Sequence, residues 1–198
     1  MQNKKQNSVL SIAGSDSGGG AGIQIDIKTF ETLNIFGTTA VTAVTAQNPC
    51  GIHGIYPLPA KAVYEQINAV FAKFVISAFK TGMLFNTEII DTVAGYISEN
   101  KIKIPLIVDP VMVATSGAVL LQKKAIYTLM NKLIPQAEWI TPNIPETEIL
   151  ASKKISCLDS MLDASKKCHE KFGVSTIVKG GHIKSKDGSK TDVVCVKN

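Results

Sequence analysis

The chain has 198 residues, of which 45% are apolar and 19% charged. These proportions suit one soluble globular domain over residues 1–198, with a polar tail at 1–7, and argue against a disordered or fibrous chain. The formal charge is +5 with 21 basic residues, all of them lysine. Arginine, which reads bases and phosphates through a bidentate fork, is absent and the lysines are dispersed, so no nucleic-acid partner is expected. The polar start and the interruption of the first apolar run by Gly14 and Asp16 leave no signal core or membrane span, which gives the expectation of a cytoplasmic protein with no membrane partner.

In chain order, apolar runs alternate with helical periodicity, the pattern of repeated β-α units around a mostly parallel sheet. Strands are expected at Val9–Ala13, Thr39–Ala46, Ile76–Thr81, Ile104–Asp109, Trp139–Thr141 and Thr176–Lys179. Helices are expected at Gly22–Leu33, at Ala60–Phe74 behind Pro59, and at Thr87–Glu99, Lys123–Leu133 and Leu158–Lys171. Asp187-Gly188 reads as a turn before a last strand at Thr191–Val196. In an open parallel sheet the carboxyl ends of the strands share one edge, where ligands bind. The residues due at those ends are Gly14 to Gly22, Gln47-Asn48, Thr81-Gly82-Met83, Asp109-Pro110, Thr141-Pro142-Asn143 and Lys179-Gly180-Gly181.

The run Gly14-Ser15-Asp16-Ser17-Gly18-Gly19-Gly20-Ala21-Gly22 lacks the Gly-Lys-Ser/Thr ending of a P-loop, and its glycines miss the dinucleotide-binding spacing. It reads as a close-fitting wall of a small-molecule pocket. Asp26 falls on the apolar face of the following helix with Ile23, Ile27, Phe30 and Leu33. Two roles suit it, a partner for a ligand donor and a favourable charge near the helix N-terminus. Gln47 suits a heterocycle or a turn. Asp109 and Glu146 are oxygen donors suited to Mg²⁺, while Asn143 to Glu146 also has the form of a capping box. Lys179 suits a phosphate or a solvated surface. Cys50, Cys157, Cys168 and Cys195 form no C-x-x-C pair, and with His53, His169 and His182 they show no zinc spacing, so reduced thiols are expected. The adjacency of Cys168 and His169 does not make a catalytic pair.

Six segments, taken in order, carry a resemblance: Ala13 to Gln24, Thr45-Ala46-Gln47-Asn48, Lys80-Thr81-Gly82-Met83-Leu84, Val108 to Val113, Thr141 to Glu146, and Val178-Lys179-Gly180-Gly181-His182. Together they resemble the hydroxymethylpyrimidine and phosphomethylpyrimidine kinases of thiamine biosynthesis, members of the ribokinase-like superfamily. The resemblance implies a three-layer α/β/α sandwich and a transferase that moves the ATP γ-phosphate to 4-amino-5-hydroxymethyl-2-methylpyrimidine and then to its monophosphate. It implies pyrimidine contacts from Asp26 and Gln47 in a slot completed by Gly14, Ala21 and Met83. Asp109, Asn143 and Glu146 would organise Mg²⁺ and phosphates, and Lys179 would lie toward ATP. A homodimer is compatible with it.

The family's late Gly-Thr-Gly-Cys or Gly-x-Gly-Asp motif, which supplies the catalytic base and an anion hole, does not occur before Asn198. No catalytic residue is therefore assigned, Cys195 included, and the expectation is a C-terminally shortened chain. Two alternatives stay open: a remnant that binds pyrimidine without transferring phosphate, and a pyridoxal kinase-like activity.

Overall fold

The computed structural model describes residues 8–112, 121–181 and 189–197. The tail at 1–7, Val113, His182 and the turn at Asp187-Gly188 lie outside the described residues. The chain divides into two compact units, residues 1–106 and 107–198.

The first unit contains β1 (Ser8–Asp16), α1 (Gly22–Thr32), β2 (Phe36–Asn48), β3 (Gly51–Pro57), α2 (Ala60–Lys73), β4 (Ile76–Thr81) and α3 (Thr87–Glu99). Its strand order is β3-β2-β1-β4. β1 runs parallel to both β2 and β4, so Leu10, Ser11 and Ile12 have neighbours on either side, and they are buried together with Ala13. That position explains why β1 reads as a nearly continuous apolar run, since a strand covered on both faces has no solvent side to mark. The parallel pairing also puts the carboxyl ends of β1, β2 and β4 on one edge. α3 starts at Asn86, whose side chain accepts from the Ile89 N–H at 2.9 Å, and it buries Ile89, Ile90, Val93 and Ile97.

Here β3 is an addition to the expected elements. It pairs antiparallel with β2 after a tight turn in which the Cys50 N–H donates to Asn48 Oδ1 at 2.8 Å. Its sequence, Gly-Ile-His-Gly-Ile-Tyr-Pro, carries two glycines and no fully buried residue, so it lacks the apolar signal of the inner strands.

The second unit contains β5 (Leu106–Val108), which starts at the last residue of the first unit, then α4 (Lys123–Thr128), β6 (Trp139–Ile140), α5 (Ile144–Ala151), α6 (Leu158–Phe172), β7 (Ser175–Val178) and β8 (Val193–Cys195). Its strand order is β5-β6-β7-β8, with β8 the antiparallel member. β5 is shorter than the run Ile104–Asp109 suggests. Pro105 and Pro110 bracket it, and proline has no N–H to extend a ladder. The helix expected over Lys123–Leu133 is α-helical only to Thr128, then widens into a π-type turn at Leu129–Leu133 and tightens again at Ile134–Gln136. α6 buries Met161, Ala164 and Cys168, and Met161 packs with Val178, Val193 and Ile155. Burial pushes the Cys168 thiol up to about 12. His169 turns away from it, its Nδ1 lying 3.0 Å from the Val174 carbonyl. No helix among the described residues is long and apolar enough to cross a membrane.

Candidate functional site

In the first unit the glycine-rich loop closes on an acidic side chain. The Asp16 carboxylate accepts from the backbone N–H groups of Gly18 at 2.8 Å, Gly20 at 3.0 Å and Ala21 at 2.8 Å. Those amides would otherwise form an anion-binding nest. With Asp16 in their midst the loop has its negative charge built in, which disfavours a phosphate there. Asp16 was not singled out from the sequence, although an Asp two residues before a glycine run is a familiar side-chain-closed turn.

Two glycines let the backbone pass closely. Gly22 has φ +57°, and a Cβ there would sit 2.2 Å from the Gly14 carbonyl oxygen. A Cβ on Gly14 would meet Met83 Cε at 2.6 Å, so Gly14 and Met83 face each other. The Thr42 hydroxyl fixes that segment by donating to the Met83 carbonyl at 2.6 Å. Gln47, near the end of β2, is tied to the loop: the Ser17 hydroxyl donates to the Gln47 carbonyl at 2.7 Å and accepts from the Gln47 N–H at 2.8 Å. The Gln47 side-chain oxygen accepts from Thr45 at 3.3 Å, and its Nε2 has no partner among the described residues. Gly14, Ala21, Gln47 and Met83 are thus brought around one loop.

Of the two roles considered for Asp26, the geometry bears on one. Asp26 lies beyond the first turn of α1, which holds no acidic residue, so attraction to the helix N-terminus is not its role. Nor does it lack a protein partner. The Ser11 hydroxyl of β1 donates to Oδ2 at 2.5 Å, and Lys80 Nζ of β4 lies 3.0 Å from both carboxylate oxygens. The pair is largely enclosed, with side-chain exposures of 24% for Lys80 and 13% for Asp26. Helical periodicity shows which face Asp26 occupies but not which strand crosses beneath it, and so Lys80 stayed hidden.

A second cluster forms in the second unit. Asp109 follows β5 and Lys179 follows β7; Lys179 Nζ donates to Asp109 Oδ1 at 3.0 Å. The Lys179 N–H reaches the Pro142 carbonyl at 2.9 Å, and Asn143 and Lys179 form a parallel bridge. Asn143 caps α5 in a full capping box, with its Oδ1 accepting from the Glu146 N–H and Glu146 Oε2 accepting from the Asn143 N–H, each at 2.9 Å. The other oxygen of Glu146 accepts from the Met112 N–H at 3.0 Å.

Glu146 is 2% exposed, and burial is the main cause that raises its pKa above the ordinary carboxylate range. The negative charge of Asp109 pushes the same way, while the Asn143 and Met112 amides and Lys179 oppose it. Both Glu146 oxygens are engaged by backbone and lock Asn143 and Met112 in place, whereas Asp109 Oδ2 has no partner among the described residues. Among those residues no group of three His, Cys, Asp or Glu side chains gathers as a metal site, so the pair Asp109 and Glu146 expected for Mg²⁺ is not a preformed cage.

Comparison with known proteins agrees with the architecture. The family model described as phosphomethylpyrimidine kinase matches residues 16–198. A hydroxymethylpyrimidine/phosphomethylpyrimidine kinase of Haemophilus influenzae is 49% identical over 182 residues, covering 92% of this chain and 66% of its own length. The chain thus spans about two thirds of that relative. A crystal structure of phosphomethylpyrimidine kinase from Clostridium difficile superposes with a TM-score of 0.87 at 40% identity, covering 97% of this chain and 81% of its own. A pyridoxal kinase from Staphylococcus aureus, solved with AMP-PCP and pyridoxal, has a TM-score of 0.83 at 31% identity, covering 96% of this chain and 67% of its own. The fold is the expected ribokinase-like α/β class, and the chain belongs to the phosphomethylpyrimidine kinase family.

Proposed function

We propose that this chain serves the ATP-dependent phosphorylation of 4-amino-5-hydroxymethyl-2-methylpyrimidine and of its monophosphate in thiamine biosynthesis. The observation that carries the phosphoryl-transfer part is the second-unit cluster, in which Lys179, Asp109 and the capped start of α5 gather at strand ends. Phosphoryl transfer depends chiefly on positioning and on neutralising charge, and a lysine, an oxygen donor for a cation and a helix N-terminus supply both. Mg²⁺ would be held by Asp109, neutralising phosphate charge when bound. Asn143 and Lys179 would face the nucleotide, with Glu146 holding them in register.

The first unit supports the pyrimidine part. Gln47 offers Nε2 as a donor and Asp26 offers an acceptor, a pattern that matches a ring nitrogen beside an exocyclic amino group. Gly14, Ala21 and Met83 would form the apolar walls. No residue of the described structure is assigned as the base.

An assay of the protein as it occurs in its host, with ATP, Mg²⁺ and the pyrimidine alcohol in competition with pyridoxal, tests the reading. The expected result is preferential formation of the pyrimidine phosphate, identified by mass. Preferential phosphorylation of pyridoxal would overturn the substrate assignment. Binding of the pyrimidine with no phosphate transfer would overturn the claim that this chain performs the reaction.

A further inference from the structure

We infer that Lys80 and Ser11 are positioning residues for Asp26: they occupy three of its acceptor sites, so that the slot takes a neutral ring through one N–H donor rather than a protonated ring through a two-point carboxylate pair. The inference rests on the pyrimidine reading given above and adds the protonation state of the substrate the slot selects.

An ionised carboxylate has roughly four lone-pair sites and only accepts. Oδ2 of Asp26 receives Ser11 Oγ and Lys80 Nζ, and Oδ1 receives Lys80 Nζ. One site remains, on Oδ1. An aminopyrimidine presents an exocyclic N–H beside a ring nitrogen. A bare carboxylate would take both edges at once by protonating that nitrogen, in the same fork that joins a carboxylate to a guanidinium. Here the second oxygen is spoken for, and the ammonium beside it opposes a cationic ring.

The charges around Asp26 leave Lys80 as its counterion. On β1 the one ionisable group is Asp16, engaged by the loop amides; β2 carries none; β4 carries Lys80. On α1 itself Lys28 reaches the Gly19 carbonyl at 2.9 Å, and Glu31 is exposed. Lys80 also lies at the slot wall. A Cβ added to Gly82, the residue before Met83, would come 3.4 Å from Lys80 Nζ and 3.0 Å from Ala13 Cβ. The bare backbone at Gly82 thus leaves the ammonium its place beside the segment that faces Gly14.

Calorimetric titration of the wild-type chain with 4-amino-5-hydroxymethyl-2-methylpyrimidine, in two buffers of different ionisation enthalpy and above the ring's own titration midpoint, counts protons taken up on binding. Wild type is expected to bind with almost no uptake. Lys80→Met is expected to take up about one proton per site and to bind more tightly as the pH falls, because ligand and carboxylate then share it. Lys80→Arg should restore the wild-type count. A role confined to stability would lower the melting temperature of Lys80→Met and leave the count unchanged, which overturns the proposal. Uptake of a proton by wild type also overturns it, and that arm decides even where the methionine variant does not fold. Absence of any pyrimidine binding by wild type instead removes the substrate reading on which the proposal rests, a result distinct from binding with the wrong proton count.

Discussion

A buried carboxylate held by two backbone amides has two opposing influences on its proton, and at Glu146 burial wins over the amides of Asn143 and Met112. The folded protein therefore holds that proton more tightly than the unfolded chain does. With the folded value raised, the contribution of Glu146 to stability is fully present below the ordinary Glu pKa of about 4.3 and declines as the pH climbs through the raised value. Gln at this position cannot titrate, and it offers one oxygen where two N–H groups now donate. Glu146→Gln is expected to be destabilised, with a deficit relative to wild type that is largest near pH 4 and narrows toward pH 7. Urea unfolding of both proteins across that range checks the sign; parallel curves would mean that Glu146 keeps an unshifted proton. The neighbouring Asp109 and Lys179 contribute to the same field, so Glu146, the capping-box partner of Asn143, also feels the charges of the cluster at the strand ends.

At the scale of elements, the β1–α1 connection is set by a side chain turned inward and by glycines at points of close approach. Gly22 combines a left-handed φ with a virtual Cβ contact to the Gly14 oxygen that no flexible side chain can relieve. Gly173, at the end of α6, has φ +67° but open space around it. Gly173→Ala is expected to cost about 1 kcal/mol from backbone strain. Gly22→Ala should cost more than about 2 kcal/mol, since the strand or the helix must also shift, and on the proposed reading, in which Gly14 would line the slot, it should also weaken pyrimidine binding. Thermal melts of the two variants side by side, with a pyrimidine titration on each, measure the difference; equal costs would mean that the loop relaxes freely. The loop's place between a strand and a helix was legible in the sequence because strand, small-residue run and apolar periodicity follow one another. Its closure by Asp16, local to 2 to 5 positions, had a turn signal in the sequence, whereas the Lys80 partner of Asp26 had none, because it depends on residues that meet across 54 positions of chain.

Across the whole molecule, each unit sets its parallel strands beside one antiparallel edge strand, β3 in the first and β8 in the second, and this decides both what sequence patterning reveals and where the structure resists opening. Inner strands such as β1 declare themselves by continuous apolar runs; β3, half-exposed and glycine-bearing, does not. The capping box at Asn143 was legible because its two members are three residues apart, and the Asp109–Lys179 pair was legible only as two strand ends expected on one edge. The same distinction orders local stability. Leu10 and Ile12 lie between two parallel neighbours in the first unit, and Ile140 and Thr176 lie on β6 and β7, which are flanked on both sides in the second. β3 and β8 each pair with one strand among the described residues, and β8 leaves Val194 55% exposed. Backbone amides open locally with a free energy that follows this enclosure. Native-state hydrogen exchange is therefore expected to be slowest at Leu10–Ile12 in the first unit and at Ile140 and Thr176 in the second, and faster through Gly51–Pro57 and Val193–Cys195. Exchange in Val193–Cys195 as slow as in β7 would contradict that order and show that the edge of β8 is covered in solution by another polypeptide surface.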